Sequence, residues 1–324
     1  MKLKDFKPKP LNQQTIVITG ATSGIGLATA EMAAKRGARV ALSSRNTDDL
    51  EKICRRLQEQ GYNVIGVKAD VRRIEELKEL CEQTKMAFGS IDTWINNAGG
   101  SIYGPLLEIP EREERELFEM NFWGVRHGCH VAVEALKENG GVLINLGSEV
   151  SLRSIPLQGM YSASKHAVKA YTDALRMELE HDEIPIQVCL VRPTAIDTPF
   201  PDHAINHLKS GEPSLPDPVY HPDYAAEAIL KCCEKPERDV WVGAPSKIRA
   251  IMEFMAPEMA DKMMEKSAFK DQSQGTSVPH SAENEGLFAA PVQEGEIQGH
   301  HKKKIKATDE MKKPHISDPR PSHH

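Results

Sequence analysis

Apolar residues in this chain fall into two recurring arrangements. Short runs at 15–19 (TIVIT), 39–44 (RVALSS), 63–68 (NVIGVK), 91–96, 141–146 and 186–191 are too brief for helices and read as strands, with 239–242 as a last short one. Between them the apolar positions take a helical spacing. It predicts helices from the glycines after the first run to residue 36, then over 48–60, 74–88, 111–136, 161–179 and 222–233. This regular alternation predicts an α/β domain, a doubly wound parallel sheet with helices on both faces. Ligands of such sheets sit beyond the carboxyl ends of the strands. Gly20, Asn96, Ser148 and Pro193 all lie at such ends and are expected to converge on one crevice.

The pattern loosens after Pro193. Residues 200–222 carry Pro201, Pro213, Pro216, Pro218 and Pro222, which block long regular structure and suggest a loop over the crevice. A Met-rich amphipathic stretch, 246–264, is interrupted by Pro257, and from about 271 the chain turns polar. The expected organisation is a single domain over 1–250, including the loop 200–222. A helical extension over 251–270 and a disordered polar tail over 271–324 follow it. The histidine pairs 300–301 and 323–324 read as parts of a solvated tail, and no metal site is assigned.

Composition narrows the setting. A net charge of −6, with 40% hydrophobic and 27% charged residues, gives no pull toward nucleic acid or an anionic membrane. No run approaches the roughly 18 apolar residues of a membrane span. The basic first ten residues lack a signal peptide's apolar core. Six cysteines without CxxC spacing read as buried free thiols in a reducing compartment, and the expected location is cytoplasmic.

Two stretches carry chemistry. The first run breaks into Gly20-Ala21-Thr22-Ser23-Gly24-Ile25-Gly26 and then a helix, the arrangement by which amides and a helix N-terminus hold a pyrophosphate. Tyr161 and Lys165 stand four residues apart on a predicted helix, so phenol and ammonium leave the same face. Ser148, at the end of a strand, would bring a hydroxyl to that face.

Taken together, these motifs resemble the short-chain dehydrogenase/reductase (SDR) family from about residue 14 to 242. Thr19-Gly20-x-x-x-Gly24-x-Gly26, Asp70-Val71, Asn96-Asn97-Ala98-Gly99, Asn121, Ser148, Tyr161-x-x-x-Lys165 and Thr198 occur in order, each on its predicted element. The resemblance implies a Rossmann-type sheet and an NAD(P)-dependent enzyme interconverting an alcohol and a carbonyl on a small molecule. It implies Tyr161 as general acid/base, Ser148 orienting the substrate oxygen, Lys165 holding the nicotinamide ribose and Asn121 keeping a water chain. It also implies that Thr22, Ser23 and Ile25 join the glycines around the phosphates, beside Asn97, Ala98 and Gly99. Pro193, Thr194, Ile196 and Thr198 would follow the nicotinamide, and Asp70 and Val71 the adenine. Glu149, Ile155 and Met160 are expected to meet substrate.

A free tyrosine titrates near 10, and bringing it down by about 2–3 units takes roughly 3–4 kcal/mol of preferential phenolate stabilisation. Lys165 is the expected source. An acid at the end of the second strand would bind ribose hydroxyls; here Ser44 and Arg45 stand there, which favours NADP(H) over NAD(H). Family members using NADP often carry a second basic residue before the middle glycine, where this chain has Ser23. It also has Pro193-Thr194 in place of the family's usual Pro-Gly. Ala163, Ala167, Ala170 and Ala174 form a small-residue row, from which a homodimer or homotetramer is expected. Two further readings stay open: an epimerase or dehydratase on the same fold, and a non-catalytic dinucleotide sensor or scaffold.

Overall fold

The computed structural model describes residues 2–243, 257–274, 286–289 and 295–299. β1 (Thr15–Thr19) leads through α1 (Gly24–Lys35) to β2 (Arg39–Ser44), and through α2 (Thr47–Glu59) to β3 (Val64–Lys68). α3 (Ile74–Phe88) then crosses to β4 (Thr93–Asn96) on the far side of β1. A two-residue strand β5 (Ile102–Tyr103), α4 (Glu111–Phe118) and α5 (Gly124–Leu136) precede β6 (Gly141–Leu146). α6 (Gly159–His181) and β7 (Ile186–Pro193) come next. The following loop holds short strands β8 (Ile205–Asn206) and β9 (Glu212–Pro213), then α7 (Pro222–Glu234) and β10 (Asp239–Val242) complete the sheet. Its order is β3-β2-β1-β4-β6-β7-β10, and every pairing is parallel. The order reverses between β1 and β4, which opens the crevice at their carboxyl ends.

The strands bury both faces, as their near-continuous apolar runs require. Ile16, Ile18, Val40, Leu42 and Ile144 face one layer with α1, α2 and α7; Val17, Ala41, Trp94 and Leu143 face the other with α3, α5 and α6. A buried polar chain fixes α6 on the sheet. Asn96 donates from Nδ2 to Asn145 Oδ1 (2.8 Å), and Asn145 Nδ2 donates to Thr172 Oγ1 (2.9 Å). All six cysteines are free and buried.

The single helix expected over 111–136 is interrupted. Residues Glu119–Trp123 form a π-helical turn between α4 and α5. The additional residue per turn is accommodated where Asn121 enters the interior, because its amide is bound on both sides. Such bulges often mark functional positions.

The loop expected over 200–222 is anchored by two ladders. β8 pairs parallel with β5, and β9 pairs antiparallel with β11 (Ser273–Gln274), which follows α8 (Pro257–Asp271). Of the helix expected over 246–264 with an interruption at Pro257, residues 246–256 lie outside the described residues, and the described helix begins at Pro257 and runs to Asp271. Proline at a first helical position has no donor to lose and a preset φ. Besides 271–274, two pieces of the stretch expected to be a polar tail are described, 286–289 and 295–299. Both are seated on the crevice, where the apolar Leu287, Phe288 and Ile297 find the packed layers. The histidine pairs lie outside the described residues. No described helix is long and apolar enough to cross a membrane.

Candidate active site

The glycine turn is built by close approach. Gly20 has φ +63°, and a Cβ there would stand 2.8 Å from the Cα of Ala98. A Cβ on Gly26 would stand 2.1 Å from Gly20 O and 2.5 Å from Asn97 Nδ2. Asn97 lies behind the turn and donates from Nδ2 to the carbonyls of Thr19 (2.9 Å) and Gly20 (2.8 Å). The amides of Asn97 and Ala98 donate to Thr19 Oγ1 at 3.1 and 3.2 Å. This leaves the bare turn at the N-terminus of α1, with Thr22 Oγ1 donating to Ser44 Oγ (2.9 Å). The geometry fits a dinucleotide: amides without side chains before them, at the positive end of a helix.

Around that turn the crevice is lined by Gly20, Thr22, Ser23, Gly24, Ile25, Gly26, Ser44 and Arg45, by Asp70 and Val71, and by Asn97, Ala98 and Gly99. Its other end holds Ser148, Glu149, Tyr161 and Lys165, with Pro193, Thr194, Ile196 and Thr198 along one wall. Asn121 stands behind Gly99–Gly100. It accepts from Gly100 N–H (2.9 Å) and donates to Gly100 O (3.0 Å) and Ser164 Oγ (3.0 Å). It therefore sets the backbone that faces Lys165.

Two of the expected substrate residues do not line the crevice. Met160 packs against the apolar layer with α5 and α6. Ile155 is tied through its amide to Ser162 Oγ (3.4 Å). In their place stand Tyr103, Val150, Gln158, Phe200, His203, Leu215 and Pro216. The proline-rich loop pointed to the last four only as a group. Tyr103 and Gln158 carried no motif; Gln158 is placed by donating to Ser101 Oγ (2.9 Å). The Phe200 ring lies 5.7 Å from that of Tyr161.

The ionisable groups are tuned by burial. Lys165 is 5% exposed, donates to Leu146 O (2.9 Å), and is brought down to about 8 by burial. Its Nζ lies 5.8 Å from the Tyr161 ring centre. Burial pushes the Tyr161 phenol up to about 12, Ser148's hydrogen bond works against this, and the Glu149 charge adds to it. In the chain alone, burial thus outweighs the other influences on the Tyr161 phenol. Asp70 is held below its ordinary range: burial opposes ionisation, but Arg72 outweighs it, with Nε 2.9 Å from both carboxylate oxygens. Thr194 is accommodated by its neighbour. Its N–H donates to Val242 O (3.0 Å), and Gly243 supplies the room, since a Cβ there would lie 2.3 Å from Thr194 Cγ2.

Residues 14–207 match the family model of the short chain dehydrogenases. The chain belongs to that family. An SDR relative, the oxidoreductase YxnA of Bacillus subtilis, is 39% identical over 269 residues, 82% of this chain and 76% of its own. The alcohol dehydrogenase of the archaeon Thermococcus sibiricus, solved with 5-hydroxy-NADP, superposes with a TM-score of 0.62 at 32% identity, over 70% of this chain and 95% of that one. An SDR of Burkholderia phymatum solved with NAD shares the fold at 22% identity and a TM-score of 0.70, over 84% of this chain and 99% of that one. This SDR is thus an oxidoreductase that takes a nicotinamide dinucleotide.

Proposed function

We propose that the protein interconverts a carbonyl and an alcohol with NADP(H), using Tyr161 as general acid/base. The supporting observation is the convergence of Ser148, Tyr161 and Lys165 at one end of a crevice whose other end presents Arg45 and no carboxylate on β2. Bound there, the nicotinamide would supply or accept the hydride. The protein's part is the proton. Burial keeps the phenol protonated, the form that donates to a carbonyl oxygen, and the positive charge of Lys165 and of a bound oxidised nicotinamide would favour the phenolate that the donation leaves. Ser148 donates a hydrogen bond that orients that oxygen, and Lys165 brings positive charge to the same wall. Asn121 fixes Gly99 and Gly100, against which Lys165 is aligned. Arg45 offers the planar fork suited to a ribose 2′-phosphate. Tyr103, Gln158, Phe200 and His203 would meet the substrate.

NADPH oxidation matched one-for-one by carbonyl loss is the expected result across a panel of carbonyl compounds. Tyr161→Phe should abolish turnover and leave NADPH affinity within a few-fold; unchanged turnover refutes the mechanism. Tight NADPH binding without turnover would favour the sensor reading, and isomerisation or water loss without net cofactor consumption the epimerase or dehydratase. Ala163, Ala170 and Ala174 lie on an exposed strip of α6, beside which Met177 is 63% exposed. Self-association through this face is the accompanying proposal, read by the solution mass.

A further inference from the structure

Two pieces of the C-terminal stretch lie across the crevice and bind it through their backbones. Arg45 donates to the carbonyls of Gly286, Leu287 (3.2 Å) and Ala289 (3.1 Å), and Arg72 to that of Leu287 (3.3 Å). Leu287 is 2% exposed, with its Cδ1 3.8 Å from where a Cβ on Gly100 would stand. The Arg112 guanidinium covers the Phe288 ring at 4.8 Å. Further along, Gly24 N–H donates to Glu296 O (2.9 Å), and Gly295 N–H donates to Thr22 O (2.8 Å). Gly299 N–H reaches Asp197 O (3.4 Å), beside Thr198, whose carbonyl oxygen would lie 2.6 Å from a Cβ on Gly299.

These contacts use donors that a dinucleotide needs. Arg45 has four N–H bonds on its terminal nitrogens, and three point at strap carbonyls. A bidentate grip on phosphate needs two of them together. Gly24 has one N–H, and Glu296 O takes it. The piece 286–289 thus meets the adenosine end, and the piece 295–299 the phosphate turn and the wall assigned to the nicotinamide. Its glycines at 295 and 299 let its backbone come down onto the turn.

We propose that the C-terminal strap, residues 286–289 and 295–299, is autoinhibitory: its carbonyls occupy Arg45 and the Gly24 amide, so strap and dinucleotide exclude each other. This rests on the reading of Arg45 and Gly24 as cofactor groups. The site is then regulated by whatever lifts the strap, and excess NADPH is one such agent. Neutral carbonyls are weaker partners for a guanidinium than a phosphate dianion, so the strap is displaceable.

The test is amide hydrogen exchange on the full chain with and without saturating NADPH. Faster exchange at Gly295 and Gly299 in the presence of NADPH is the expected result. Slower exchange would mean that the strap closes over the cofactor, and unchanged exchange that it is indifferent; either overturns the proposal. A second arm uses Leu287→Lys with Gly299→Val, which puts an ammonium where Leu287 packs into the apolar layer beside Gly100 and a side chain against Thr198 O. NADPH should bind this variant roughly tenfold more tightly, the factor by which a site open one-tenth of the time weakens apparent affinity. Weaker binding by the folded variant refutes the strap. If neither protein binds NADPH, the cofactor assignment itself fails and takes the strap with it, whereas binding without strap release refutes the strap alone.

Discussion

Gly26→Ala tests whether close packing builds the phosphate turn. The new Cβ would stand 2.1 Å from Gly20 O, so α1 must retreat by about 1 Å to reach ordinary contact. It would also stand 2.5 Å from Asn97 Nδ2, the group that holds the Thr19 and Gly20 carbonyls. Overpacking of this kind costs about 1–3 kcal/mol, and disturbing the two Asn97 bonds about 1–2 kcal/mol more. Alanine returns about 1 kcal/mol through helix propensity. The net expectation is a loss of roughly 1–4 kcal/mol, a drop in Tm of about 3–15 °C for a domain of this size. NADPH affinity, measured by fluorescence titration on the folded variant, should fall at least tenfold because the amides move with α1. A Tm within 2 °C of wild type together with unchanged affinity would show that the turn yields without consequence, and the packing argument would be wrong.

Three further outcomes are expected. Arg45→Asp should shift the ratio of NADPH to NADH affinity toward NADH by an order of magnitude or more; because Arg45 also holds the strap, the ratio and not either affinity is the readout. An unaltered ratio would remove Arg45 as the phosphate reader. Lys165 is brought by burial from 10.5 to about 8, so the fold disfavours its ammonium, and stability is regained as pH rises from about 8 toward 10.5. Relative to Lys165→Met, wild type should therefore gain roughly 2–3 kcal/mol in urea unfolding between pH 7.5 and 10, and a loss over that window would contradict the burial. Gln272→Ala removes a 2.6 Å bond from Nε2 to Pro156 O; the KM for the carbonyl substrate should rise several-fold with NADPH affinity unchanged, and the reverse split would place Gln272 at the wrong end of the crevice.

What could be read from the sequence was governed by local rules. β1, the glycine turn and α1 were legible because strand period, turn chemistry and helix period change within a dozen residues there. Tyr161 and Lys165 were legible because helical spacing alone aligns them. The π turn at Asn121 was not, since it arises from contacts to Gly100 and Ser164, 21 and 43 residues away. Met160 and Ile155 stand off the crevice lining for a related reason. Nearness to Tyr161 in sequence does not say which side of α6 meets the crevice, whereas Tyr103 reaches it through the β5–β8 pairing. The seating of Leu287 is likewise a long-range event that a polar composition conceals.

The β9–β11 ladder has a consequence for the order in which the protein is made. The sheet is complete at Val242, but the strand that pairs with the 200–222 loop is Ser273–Gln274, about thirty residues later. Every crevice residue from the glycine turn to Thr198 has been synthesised while the loop still lacks that partner. In the growing chain the residues of the glycine turn therefore precede the strand that anchors this loop, and residues 286–289 and 295–299 come last. Truncations from the C-terminus should remove these elements in the reverse order.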